Sequence, residues 1–236
     1  FGAGGKMGVR LARNLQGSAH AVRHVEVSPA GQQRLRDELG VTCLSPEAAV
    51  DGADVVILAV PDTLIGRIAA QVAPRLRPGT MVFALDAAAP FAGHLPARPD
   101  LVYFVAHPCH PNIFAPEVHT GPDYFGGVTA PQSIVCALMQ GPDEAYALGE
   151  DIAKIIYAPV KQSWRVSVDQ MALLEPGLSE TVCATLLDAM REAMDEVVAR
   201  GVPAEAARDF LLGHMNILGA VIFKEQPGVF SDACNK

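Results

Sequence analysis

The chain has 236 residues, a net charge of −8 from 18 Lys and Arg against 26 Asp and Glu, and 50% hydrophobic residues. That length suits one large domain or two ordinary ones, and a mean hydropathy of +0.23 excludes bulk disorder. With no Lys/Arg block, neither nucleic acid nor an anionic membrane is expected as a partner.

The longest apolar runs, such as Val55–Val60, fall far short of the roughly 20 residues of a membrane helix. No charged-then-apolar targeting segment opens the chain. Cys43, Cys109, Cys136, Cys183 and Cys234 are scattered, without a CxxC, so a reduced, cytoplasmic protein is expected.

The chain opens on Phe1-Gly2-Ala3-Gly4-Gly5-Lys6-Met7-Gly8. A loop of this kind normally follows a buried strand, so a short strand is expected ahead of Phe1. A further element is expected after the turn-like Gln226-Pro227-Gly228. Helices are predicted over Lys6–Leu15, Pro29–Leu39 and Leu64–Leu76, the last with Leu64, Ile68, Val72 and Leu76 on one stripe.

Between them stand four apolar runs, Ala21–Val27, Ala53–Val60, Met81–Leu85 and Leu101–Ala106. Their near-continuous hydrophobicity predicts parallel strands buried on both faces, and the β/α alternation predicts an α/β Rossmann doubly wound sheet. Ser133–Met139, a helix Asp143–Ile156 and a strand near Tyr157–Lys161 extend it. After about Trp164 the strand signals stop. Leu178, Val182, Leu186, Ala189, Ala193 and Val197 mark a long amphipathic helix, and a second runs from Pro203 to Phe223. The expected division is a dinucleotide-binding domain over 1–163 and an all-helical substrate and dimerisation domain over 164–236. The apolar second helix, too small to build a core alone, predicts a homodimer.

Gly2, Gly4, Gly5, Lys6, Met7 and Gly8 form the candidate cofactor loop. Glycine allows the tight turn and close approach of a diphosphate, and the helix starting at Lys6 points its N-terminus at that anion. Glu26, 18 residues after Gly8, can accept both ribose hydroxyls and would repel a 2′-phosphate, which favours NAD over NADP. Val60, Pro61 and Asp62 lie at the strand edge where ligands bind, although an ordinary strand-ending turn explains them equally well.

The run Leu101–Ala106 leads into His107-Pro108-Cys109-His110-Pro111. Two imidazoles at the carboxyl end of a buried strand suit proton transfer or metal ligation, so His107 and His110 are candidate catalytic residues. A surface-loop pair is the plain alternative. His20, His24, His94 and His119 are read as structural or surface.

In Glu175-Pro176-Gly177-Leu178-Ser179-Glu180, Glu175 is the first candidate ligand, and His107 with Glu175 the candidate divalent-metal site. Glu180 is a candidate catalytic acid. The plain alternatives are a helix cap at Glu175 and a solvated Glu180. His214 and Asn216 could enter the same cleft but read better as satisfied polar groups.

Taken together, the Gly2–Gly8 loop, Ala106-His107-Pro108-Cys109-His110-Pro111, Met139-Gln140-Gly141-Pro142 and Leu174–Glu180 resemble the D-apionate oxidoisomerase family, within the 6-phosphogluconate-dehydrogenase-like oxidoreductases. The resemblance spans nearly the whole chain. It implies NAD-dependent oxidation of a branched, polyhydroxylated carboxylate, coupled to an α-ketol-type rearrangement that yields a 3-oxo acid. Many β-hydroxyacid dehydrogenases carry a catalytic Lys on the first long interdomain helix, yet no Lys occurs between Val166 and Arg200. Ketol-acid reductoisomerases, similar in plan, use a carboxylate-bound divalent metal, which adds weight to a metal as second cofactor beside NAD. The competing readings are a metal-independent NAD-dependent hydroxyacid or semialdehyde dehydrogenase, a dihydrodipicolinate reductase (whose His-His and Lys-x-Asp signatures are absent), and a non-catalytic NAD-sensing module.

Overall fold

The structure is a computed structural model describing residues 1–115, 123–126 and 129–228; His119 and Cys234 lie outside the described residues. Two compact units divide the chain, Phe1–Glu175 and Pro176–Lys236.

The first unit is built on a five-stranded sheet in the order β1 (Val55–Leu58), β2 (Met81–Ala84), β3 (Val102–Pro108), β4 (Gln132–Gln140), β5 (Val160–Arg165). β1, β2 and β3 are mutually parallel, and β5 is parallel to β4. β4 runs antiparallel to β3, a reversal that the apolar runs alone did not signal.

The helices are α1 (Lys6–Leu15), α2 (Pro29–Leu39), α3 (Pro46–Val50), α4 (Asp62–Val72), α5 (Ala88–Phe91), α6 (Ala145–Ile156) and α7 (Val168–Ala172). α2 shows why the boundaries were readable. Ser28 caps it by accepting from Gly31 N, Pro29 fills its first turn, and Gly40 ends it in the left-handed conformation.

Alternation along the strands divides the core. Phe83, Phe104, Ala106, Ile134 and Cys136 pack with Leu11, Leu15, Ile152 and Ile156 from α1 and α6. Val56, Leu58, Val82 and Tyr103 pack with Ile65, Ala69 and Val72 of α4. Both faces are therefore covered, as a doubly wound sheet requires.

One expected strand does not form. Ala21–Val27 makes a single bridge, His24 to Cys43, with Val25 O accepting from Ala3 N. Between this segment and β1 lies an apolar cavity of about 440 Å³, lined by Phe1, Leu11, Leu15, Val25, Val55 and Ile57 among others. With no strand partner across that gap, the segment has no ladder to join.

In the second unit, α8 (Ala184–Ala199) and α9 (Ala204–Ile222) follow a wide, π-helical run over Leu173–Cys183 that begins in the first unit. Pro176 lies inside that run. Proline has no N–H to donate and its ring crowds the preceding turn, which favours the wider winding. Thr181 Oγ1 donates to Pro176 O at 2.6 Å. Leu186, Leu187, Met190 and Val197 of α8 and Phe210, Leu212, Ile217 and Ile222 of α9 are exposed. Among the described residues no helix is long and apolar enough to cross a membrane.

Candidate active site

Phe1 pairs with the end of β1, donating to Ile57 O and accepting from Ala59 N, so the chain turns at Gly2 against the strand. Gly2 has φ +73°, and a Cβ there would stand 2.2 Å from Ala59 O and 2.8 Å from Val60. A Cβ on Gly8 would lie 2.0 Å from Gly2 O. The loop is thus folded on itself too tightly for side chains, and it lies against Val60, next to Pro61, which caps α4, and Asp62, which begins it.

Gly5 caps α1 without a side-chain hydrogen bond, and no acidic residue stands in the first turn. The amides and dipole of that helix end suit an anion. Glu26 braces the loop: Oε2 accepts from Gly4 N at 2.9 Å and Oε1 from Ser28 N at 2.8 Å. Arg34 Nη1 donates to Gly4 O at 2.8 Å.

The polar centre is at the carboxyl ends of β2 and β3. His107 is the penultimate residue of β3, and Asp86 lies just beyond β2. His107 Nε2 stands 2.8 Å from Glu175 Oε1, with the two side chains 23% and 11% exposed. Its Nδ1 is 2.8 Å from Leu85 O, so Nδ1 carries the proton and Nε2 is the working nitrogen. Asp86 Oδ1 accepts from Ala88 N at 2.6 Å. One ligand atom from each of Asp86, His107 and Glu175 lies within 4.8 Å of the others.

Burial pushes the Glu175 carboxyl up to about 7; His107 works against that, while Asp86 beside it adds to the rise. Burial opposes charge on His107, but the hydrogen bond and charge of Glu175 outweigh it, and the pKa is raised. The pair therefore holds a proton near neutrality.

The structure places the other expected residues less centrally. His110 has φ +60°, and its ring meets that of His107 edge-on at 6.1 Å between centroids. Its Nδ1 is 3.0 Å from Phe125 O, and burial lowers its pKa. Lys6 Nζ sits 4.2 Å from the centre of the Phe125 ring, which also meets His110 edge-on at 5.7 Å. Met7 is half-buried against the core. Glu180 is exposed on the π-helical run of the second unit. His214 Nδ1 lies 2.7 Å from Phe210 O within α9.

Sequence reasoning did not single out Asp86 as a member of the cluster or Phe125 as a wall. An acid directly after a buried strand was the available signal for the first; for the second there was none.

Residues 115–236 match the phosphogluconate dehydrogenase (decarboxylating) C-terminal family model, and residues 1–88 the family described as NADP oxidoreductase, coenzyme F420-dependent. The D-apionate oxidoisomerase of Cupriavidus necator is 74% identical over 240 residues, covering 100% of this chain and 86% of that protein. The D-apionate oxidoisomerase of Rhizobium rhizogenes is 68% identical over 238 residues, with the same coverage of 100% and 86%. A solved semialdehyde dehydrogenase NAD-binding protein from Cupriavidus necator, in complex with calcium and NAD, superposes with a TM-score of 0.96 at 73% identity, covering 100% of this chain and 86% of that one. The loop, the half-buried histidine–carboxylate pair and these relatives converge: the chain belongs to the D-apionate oxidoisomerase family.

Proposed function

We propose that the chain oxidises a branched polyhydroxy acid such as D-apionate with NAD and couples the oxidation to an α-ketol-type rearrangement giving a 3-oxo acid. The observation that carries the reading is the half-buried His107–Glu175 pair at the end of β3. The substrate class follows from the relatives, which are D-apionate oxidoisomerases. The choice of NAD follows from Glu26, whose carboxylate would meet a 2′-phosphate with like charge, and is in keeping with the NAD of the Cupriavidus neighbour.

Gly2, Gly4, Gly5, Lys6, Met7 and Gly8, with Val60, Pro61 and Asp62 beside them, would hold NAD, which would supply the hydride acceptor. In the metal-independent form, His107, held by Leu85 O, takes the substrate hydroxyl proton at Nε2 as the carbinol C–H leaves as hydride, and Glu175 stabilises the resulting imidazolium; with Nε2 on a cation, His110 is the base. In the rearrangement, the neighbouring tertiary hydroxyl loses its proton as its carbon becomes a carbonyl. A carbon substituent moves with its bonding pair to the adjacent keto carbon, whose oxygen gains a proton. The second step is proton-neutral, and a pair that holds a proton near neutrality can accept one and return one. His110 is the alternative base, and Glu180 the lesser acid candidate.

The donor set also fits a divalent cation, because Glu175 Oε2 is buried without a hydrogen-bond partner among the described residues. His107 and Glu175 would hold it, and it would polarise the keto and hydroxyl oxygens. The calcium of the Cupriavidus neighbour is in keeping with a cation in this family. The direct 2.8 Å bond between His107 and Glu175 favours the second reading, a metal-independent NAD-dependent hydroxyacid or semialdehyde dehydrogenase.

NADH formation from D-apionate, before and after chelation and on re-addition of a divalent cation, tests both. Formation of a 3-oxo acid, lost on chelation and restored by metal, is the expected result. Undiminished activity after chelation selects the second reading, and no NADH from any aldonate or semialdehyde overturns both.

The exposed apolar residues of α8 and α9 support a homodimer in which residues 164–236 form the substrate and dimerisation domain. Four free cysteines among the described residues suit a cytoplasmic protein.

A further inference from the structure

We infer that Asp86 is a third protein ligand, completing with His107 and Glu175 a one-imidazole, two-carboxylate site for a divalent cation. This rests on the metal-dependent form of the proposed function and adds to it a residue that neither the loop motif nor the histidine turn indicates.

The placement follows from the sheet. β2 and β3 are adjacent and parallel, with Ala84 opposite Val105, so the same register carried two residues further sets Asp86, just past β2, beside His107 in β3. Glu175 closes on them with its Oε1 against His107 Nε2.

Each neighbour already has one atom committed elsewhere. Asp86 Oδ1 is held by Ala88 N, and His107 Nδ1 by Leu85 O. The donors that converge are Asp86, His107 and Glu175, one ligand atom from each lying within 4.8 Å of the others, and a cation would take the place of the direct His107–Glu175 bond. Outer contacts that fix the orientation of a ligand in this way are typical of metal sites.

The second, independent observation is Glu175 Oε2. It is buried and, among the described residues, has no hydrogen-bond partner, on a side chain only 11% exposed. Buried carboxylate oxygens are nearly always satisfied, and an orphan on a carboxylate grouped with an imidazole and a second carboxylate asks for a cation. One nitrogen and two carboxylate donors with open positions suit Mn²⁺ or Mg²⁺, leaving coordination places for a chelating hydroxy-keto substrate.

The test uses the full chain and Mn²⁺ alone, with free Mn²⁺ counted by electron paramagnetic resonance. Asp86→Asn and Asp86→Ser both keep an oxygen able to accept from Ala88 N while removing the carboxylate charge. NAD affinity serves as the folding control. The wild type is expected to bind one Mn²⁺ per chain, and both variants at least tenfold more weakly with NAD affinity unchanged. If the wild type binds Mn²⁺ and the variants bind it equally, Asp86 is not a ligand while the metal reading stands. If the wild type binds no Mn²⁺, Ca²⁺ or Mg²⁺, the metal reading falls and the inference with it, leaving the metal-independent oxidation untouched.

Discussion

His107 Nε2 and Glu175 Oε1 stand 2.8 Å apart at the end of a buried strand, and both groups bind protons more tightly than they would in water. The sign of the pH dependence follows. Glu175, ordinarily near 4.5, is pushed up to about 7 by burial, and His107 is raised above 6.5 because Glu175 outweighs its own burial. Stability from these groups is fully present below their unfolded values and is lost as pH rises through the folded ones. In chelator-treated protein, the melting temperature is expected to fall between about pH 4.5 and 7 and beyond. Glu175→Gln, measured by calorimetry across the same range, should flatten that decline. An identical slope in the variant would remove the pair from the explanation.

Activity should run the other way. A base that must be free of its proton gives log kcat/KM a slope near +1 below the pKa of His107, which Glu175 holds above the ordinary 6.5, and a plateau above it. Glu175→Gln should lower that break toward the ordinary histidine value of about 6.5 while reducing kcat. A profile flat from pH 5 to 8 would show that neither group works as the base.

The glycine loop makes a contrasting pair of predictions. A Cβ on Gly8 would sit 2.0 Å from Gly2 O, whereas on Gly5 its closest neighbour is Gly2 O at 3.3 Å. Gly8→Ala should therefore break the turn and cost several kcal/mol by overpacking, with loss of NAD binding. Gly5→Ala should leave melting within a few degrees of wild type and weaken NAD binding through the reduced approach of the diphosphate alone. Thermal melts alongside NAD titrations separate the two; equal damage in both would mean the turn is not set by this contact.

How far the sequence could be read depended on whether a feature was local. α1 and α2 fall on Lys6–Leu15 and Pro29–Leu39, as expected, because caps and glycines are local signals. β2 and β3 are buried almost throughout, and uninterrupted hydrophobicity marks such strands. Ala21–Val27 is interrupted by Arg23, His24 and Glu26 and also lacks a partner across the cavity beside β1, and pairing is not a property of the segment itself. β4 reverses direction because strand polarity depends on a connection, not on composition. His107 and Glu175 were visible through the prolines beside them. Asp86 joins them only through the register of β2 and β3, and Phe125 joins His110 and Lys6 only in three dimensions.

The second unit presents Leu186, Leu187 and Met190 on α8 and Phe210 and Ile217 on α9 to solvent in the single chain. An apolar surface of that kind is costly to leave wet at roughly 25 cal/mol per Å². If it is the dimer face, Leu186→Asp combined with Ile217→Asp should convert a dimer to a monomer in sedimentation velocity while NAD affinity at the glycine loop stays unchanged. A monomeric wild type at micromolar concentration would rule the dimer out.

Glu26 braces the loop, and the role proposed for it as reader of the cofactor can be separated from that one. Its oxygens accept from Gly4 N and Ser28 N, and each retains a lone pair for a ribose hydroxyl. Glu26→Gln turns one acceptor into a donor facing a backbone N–H and removes the charge, a loss of about 1.5–3 kcal/mol for a charge-assisted bond. NAD affinity should fall about tenfold or more. Loss of the brace alone would weaken NAD and NADP equally. Loss of the reader relieves the repulsion of a 2′-phosphate, so the preference for NAD should shrink by at least about tenfold. Calorimetric titration with both nucleotides gives the ratio directly, and a ratio unchanged from wild type would leave Glu26 as a structural brace with no part in choosing the cofactor.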